Sequence, residues 1–184
     1  MSSPVRPMLC SLCALCMWFC VSSLVMGAGS EAAWLKRIPV SQAIRIGSGR
    51  KIVIEVSDPD CPFSRKMVGY WDKRHDVSRY IFLIDLKTHP EAAEKVRYIL
   101  CAADRVAAYR EVYGGKLDFD EKPFYPHCDD QGLQEKYRKV GARLRITGTP
   151  TYFINGVKVN GAKVKEIEKL LGGKKVPFDS EDLE

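Results

Sequence analysis

From Lys51 to Ser57 the chain runs Lys-Ile-Val-Ile-Glu-Val-Ser, nearly continuous in apolar character and rich in β-branched side chains, before Asp58-Pro59-Asp60 stops it. A half-exposed strand would alternate apolar with polar, so this run suits a central strand buried on both faces. Pro62 is well placed as the first residue of a helix extending to about His75, because its missing amide hydrogen would be unsatisfied there anyway. Cys61 then occupies the cap position of that helix.

The remaining segments extend the same pattern. Tyr80-Ile-Phe-Leu-Ile-Asp-Leu86 is a second buried strand. His89-Pro90 opens a helical region whose apolar positions Ala92, Ala93, Val96, Ile99 and Leu100 recur at helical spacing, and a second helix is expected from about Asp104 to Tyr113. A Pro- and aromatic-rich loop leads to Cys128, and a further helix is expected from about Asp130 to Gly141. Thr151–Ile154, the turn Asn155-Gly156 and Val157–Val159 form a hairpin, since Asn-Gly readily takes the positive φ angles of a tight turn. Lys163 to Leu171 is a last helix, and residues 174–184 form an acidic tail. The order strand, helix, strand, helical insert, strand, strand, helix gives a mixed α/β sheet with helices on its faces. Residues 30–49 are expected to be a lead-in with one short helical piece at Ser41 to Ile46.

Residues 1–29 carry a largely apolar, uncharged run from about Met8, following Arg6. This is an export segment, either a signal peptide cut near Gly27-Ala28-Gly29 or an uncleaved membrane anchor. Cys10, Cys13, Cys16 and Cys20 lie inside it and act as small apolar fillers. Of the 184 residues, about 155 remain outside the segment, enough for one domain with a proper core. Seven cysteines reduce to three, Cys61, Cys101 and Cys128. An odd number in an oxidising compartment predicts one disulfide and one leftover thiol.

Three stretches together resemble a known family: Asp58-Pro-Asp-Cys61-Pro-Phe-Ser64-Arg-Lys66, the helical end Ile99-Leu100-Cys101-Ala102, and Thr147-Gly-Thr-Pro150-Thr-Tyr-Phe-Ile154. They look like the catalytic domain of the DsbC/DsbG family of periplasmic disulfide isomerases, over roughly residues 44–172. The resemblance implies an α/β thioredoxin-like fold with an inserted helical subdomain, spanning residues 50–173. It further implies a nucleophile at Cys61, a cis proline at Pro150 packed beside it, and a structural disulfide between Cys101 and Cys128. Two features depart from the family: Ser64 stands where the resolving cysteine belongs, and the amino-terminal dimerisation domain of the long members is absent.

The thiolate is the reactive form of cysteine, and a helix amino terminus favours it through unpaired amides and the dipole. Arg65, Lys66 and Arg145 are candidates to add positive potential, with Asp58 and Asp60 opposing. A serine hydroxyl is too weak a nucleophile to resolve a mixed disulfide, though Ser64 can donate a hydrogen bond to a Cys61 thiolate. Isomerisation needs only one enzyme thiol, because a different substrate cysteine can expel it. Thr149 beside Pro150 offers a backbone edge to an extended substrate segment. Phe63, Tyr152 and Trp71 are candidates for an apolar rim, each more readily explained as core.

The expected function is therefore an exported single-thiol exchange protein, isomerase-like, with a non-catalytic chaperone or binding module in an envelope assembly as the alternative. Its expected partners are exported proteins bearing cysteines or disulfides, with a membrane thiol reductase as a further candidate. No cofactor or metal is expected, since Cys128 with His127 lacks the paired spacing of a zinc site. His75, His89 and His127 look structural or solvated. The net charge of +6 brings no nucleic-acid motif with it, and the cluster Lys136, Arg138, Lys139, Arg143, Arg145 fits a solvated helix face.

Overall fold

The computed structural model describes residues 38–118, 128–173 and 175–178. The readings of residues 1–29, His127 and the acidic end at 179–184 lie outside them. Among the described residues, no helix is long and apolar enough to cross a membrane.

The elements are strand β1 (Ile44–Ile46), β2 (Lys51–Ser57), helix α1 (Pro62–Asp72), β3 (Val77–Leu83), α2 (Ala92–Cys101), α3 (Arg105–Tyr113), α4 (Leu133–Arg143), β4 (Thr151–Ile154), β5 (Val157–Asn160) and α5 (Val164–Leu171). They build one five-stranded sheet in the order β1-β3-β2-β4-β5. β2 is central: it runs parallel to β3, with Ser57 opposite Leu83, and antiparallel to β4, with Glu55 opposite Tyr152. This is an α/β thioredoxin-like fold in which α2, α3 and α4 form the insert between β3 and β4.

The period of two along β2 separates two cores. Val53 joins Met67, Tyr70, Trp71, Tyr152, Ile154 and Ile167, whereas Ile54 and Val56 join Phe82, Val96, Ile99, Tyr109 and Tyr137. Glu55, in the middle of this strand, is fully buried and is paired with the buried Arg79 at 2.8 Å. The Arg79 guanidinium lies over the Trp71 and Tyr109 rings, so the aromatic faces supply part of the solvation the charge has lost.

The lead-in differs from expectation. Instead of a helical piece at Ser41 to Ile46, a 3-10 turn at Val40–Gln42 leads into β1, which pairs antiparallel with β3. Gly47 then turns the chain at φ +86°, where a Cβ would sit 2.4 Å from the Val77 carbonyl oxygen, so the position requires glycine. β3 lies at Val77–Leu83 rather than Tyr80 to Leu86, α1 ends at Asp72, and α4 is displaced towards Arg143. The hairpin turn takes positive φ at both Asn155 and Gly156.

Candidate active site

β2 delivers the chain to the carboxyl edge of the sheet, and the Asp58-Pro59-Asp60 turn reverses it into α1. Asp58 organises this turn. Fully buried, its carboxylate accepts hydrogen bonds from the Asp60 amide (2.8 Å) and the Leu86 amide (2.7 Å), and its Oδ2 lies 3.1 Å from His89 Nδ1. Its own carbonyl accepts from the Cys61 amide at 3.1 Å. The strand end, the insert entry and the turn that carries Cys61 are thus tied to one side chain.

Cys61 caps α1 with an extended backbone, and Pro62 takes the first helical position. Cys61 is buried, at 5% exposure. Its thiol donates to the Thr149 carbonyl oxygen at 3.1 Å. Thr149 precedes Pro150 through a cis peptide bond, so residues 88 positions apart meet at the sulfur. Ser64, one turn further along α1, is fully buried, and its hydroxyl has no hydrogen-bond partner. The Thr149 hydroxyl is likewise buried without a partner. Two partnerless hydroxyls on the residues around Cys61 are unusual, because a buried polar group normally finds a partner.

The apolar-rim candidates divide. Phe63 is 48% exposed and stands next to Cys61 in the first turn of α1, whereas Trp71 and Tyr152 are core residues bonded to each other, the indole N–H donating to the Tyr152 oxygen at 3.2 Å. Both aromatics belong to the buried cluster built on Val53. Nothing in the sequence pattern separates the exposed Phe63 from the two core aromatics.

The charges around the turn are also arranged differently from expectation. Arg65 is fully engaged. It donates from Nε to the Pro59 carbonyl, from Nη2 to Asp60 (2.9 Å), and from both Nη atoms to Asp118, one of them at 2.9 Å. Lys95 of α2, with its side chain 3% exposed, bonds to Asp60 and to Asp118 (2.8 Å). Two cations and two carboxylates therefore compensate one another beside the turn that carries Cys61. Hydrogen bonding to Asp118 holds the Arg65 charge more firmly, and Lys95 keeps its proton because Asp118 and Asp60 outweigh the burial that opposes it. Arg65 in turn, with Lys95, holds the Asp118 carboxyl well below the usual carboxylate range. Lys95 and Asp118 escaped the sequence analysis because they come from separate elements, although a lysine on the apolar face of α2 was a visible signal.

Cys101 and Cys128 are disulfide-bonded, with Cα atoms 6.1 Å apart, and Cys61 is the free cysteine among the described residues. No group of three His, Cys, Asp or Glu residues suited to a metal ion occurs among the described residues.

No known protein-family profile matches the chain, and no curated protein matches it in sequence. Solved structures do. A disulfide interchange protein from Neisseria gonorrhoeae superposes with TM-score 0.59 at 27% identity, covering 74% of this chain and all of that one. ScsC of Proteus mirabilis in a compact conformation gives 0.60 at 15% identity over 80% of each chain. A periplasmic thioredoxin-like protein from Salmonella enterica serovar Typhimurium gives 0.51 at 15% identity, covering 77% of this chain and 93% of that one.

Proposed function

We propose that this chain is an exported disulfide exchange protein of the DsbC/DsbG type that works through one thiol, Cys61, on disulfides of other exported proteins. Its likeness to a disulfide interchange protein supports thiol–disulfide exchange in general, and the periplasmic neighbour supports export. The observation that carries the single-thiol reading is local. Cys101 and Cys128 are bonded to each other, Cys61 is free, and the position one turn along α1 holds the buried hydroxyl of Ser64.

The chemistry follows from that arrangement. The Cys61 thiolate attacks one sulfur of a mispaired disulfide, forming a mixed disulfide and releasing a substrate thiolate. A different substrate cysteine then attacks the Cys61 sulfur, forms the new pair and expels the Cys61 thiolate. No net electrons move, and no second enzyme thiol is required. When Cys61 loses its proton, its bond to the Thr149 carbonyl is lost as well, and the partnerless Ser64 hydroxyl one turn away becomes a donor for the thiolate. Thr149 and Phe63 supply, respectively, a backbone edge and an exposed apolar contact for an extended client segment. A small thiol or a membrane thiol reductase would clear stalled mixed disulfides.

A second reading, a non-catalytic chaperone or binding module on the same scaffold, is favoured by the burial of Cys61. The two separate on one experiment: recovery of a scrambled-disulfide substrate by the wild type and by Cys61→Ala. Exchange through Cys61 requires the variant to fall to the uncatalysed rate. Equal recovery by both proteins would support the binding module.

A further inference from the structure

A second group of reactive sulfur lies away from Cys61. The Cys101–Cys128 disulfide is half-buried rather than enclosed, and it forms part of the wall of an open pocket of about 270 Å³ between the end of α2 and the start of α4. Arg105 and Lys136 line the same pocket. Both side chains are exposed, and among the described residues neither is within salt-bridge distance of a carboxylate. Arg105 is steadied by donating from Nε to the Leu100 carbonyl at 3.0 Å, leaving the far end of its guanidinium uncommitted. Asp129 and Asp130 are also in the lining, held by backbone amides: Asp129 accepts from Gln131 (2.7 Å), and Asp130 from Gly132 and Gln134 (both 2.9 Å).

A half-buried disulfide flanked by two exposed cations and by carboxylates held on backbone amides presents opposite charges to the two ends of a zwitterion. We propose that this pocket is a binding and exchange site for small zwitterionic thiols, those carrying both carboxylate and ammonium groups, and that the Cys101–Cys128 bond is reducible by them in the folded protein. The carboxylates of the thiol meet Arg105 and Lys136, and its ammonium meets Asp129. Its thiolate attacks one disulfide sulfur, the Cys101–Cys128 bond breaks, and a mixed disulfide and one protein thiolate form. A second molecule of the same thiol then attacks the mixed disulfide, leaving with the first as its oxidised dimer. The protein gains two electrons and, on protonation, two thiols. Reduction unties the end of α2 from the segment entering α4. The inference does not depend on the role assigned to Cys61.

The test uses the full chain carrying Cys61→Ala, which removes the other exchange site. The protein is incubated with reduced glutathione or with the uncharged 2-mercaptoethanol, quenched by alkylation, and mapped by mass spectrometry at Cys101 and Cys128, with circular dichroism recorded alongside. The expected result is labelling of both cysteines at a rate first-order in glutathione, while the helical signal persists and low denaturant leaves the rate unchanged. Arg105→Gln with Lys136→Gln should slow reduction by glutathione about fivefold, the effect of two exposed charges on a thiol with its own carboxylates, and slow reduction by 2-mercaptoethanol, whose attacking thiolate carries one charge, by less than about twofold. A bond that opens only as the protein unfolds overturns the proposal. So does an equal effect of the substitutions on both thiols, or no effect on either.

Discussion

Asp118→Asn tests the link between the helical insert and the turn that carries Cys61. Asp118 accepts two bonds from Arg65 and one from Lys95 with its side chain 25% exposed. A hydrogen bond to a charged group contributes about 1.5 to 3 kcal/mol net. An asparagine oxygen retains part of the set, and the partial exposure discounts the rest, which leaves an expected loss of about 2 kcal/mol near neutral pH. For a domain of this size that lowers Tm by about 6 to 8 °C. The pH dependence fixes the cause. Because the folded carboxyl titrates below its ordinary value of 3.8, the unfolded chain binds the proton first as pH falls, and stability is lost in that direction. The gap between wild type and variant, measured by denaturant unfolding, should be full above about pH 5 and should close as pH falls through the ordinary carboxylate range and below it. A gap that is absent at pH 7, or one that stays constant into acid, would refute the role assigned to this ion cluster.

Three further outcomes are expected. Replacing Cys101 and Cys128 together with alanine releases a 27-residue separation and should cost about 3.5 kcal/mol in the chain-entropy model, read from denaturant midpoints. Phe63→Ala, at an exposed position, should change stability by less than about 0.5 kcal/mol while weakening binding of an unfolded client to the Cys61→Ala protein by about tenfold, measured by fluorescence titration. Glu168→Leu removes one of the two carboxylates bonded to the buried Arg74 guanidinium, leaving Asp76, and takes the acceptor from the buried Tyr70 hydroxyl. It should cost about 3 kcal/mol, part of which the additional change Arg74→Met restores.

The parts of this protein that were legible in its sequence are those specified by local pattern. The continuous apolar run of β2, the Pro62 start of α1 and the Asn155-Gly156 turn each carry their own signal within a few residues. β1 does not. Ile44-Arg45-Ile46 becomes a strand because β3 offers it an edge, with Ile44 opposite Ile81, and three residues hold too little pattern to announce that pairing. The ion cluster beside the Cys61 turn was hidden for the same reason. Asp60, Arg65, Lys95 and Asp118 meet only once the insert has folded back over α1, and from the sequence Arg65 looked like free positive potential for Cys61. Glu55 was visible as a carboxylate inside a buried strand, a placement that demands a buried cation. Its partner, Arg79, lies 24 residues away on β3. The partner of the buried Cys61 thiol, the Thr149 carbonyl, is likewise distant in sequence, and no feature of the Cys-Pro-Phe-Ser segment expresses it.

The measurement that bears most directly on single-thiol exchange is the redox turnover of Ser64→Cys against the wild type. Ser64 is fully buried and its hydroxyl has no partner, so a thiol enters that position without breaking a hydrogen bond and stands one helical turn from Cys61. The wild type is expected to accumulate long-lived mixed disulfides through Cys61 and to reduce insulin poorly, whereas Ser64→Cys resolves them and reduces insulin with turnover in the presence of a regenerating dithiol. A folded Ser64→Cys protein that still traps mixed disulfides, or that shows no insulin turnover, would contradict the account and favour the binding module.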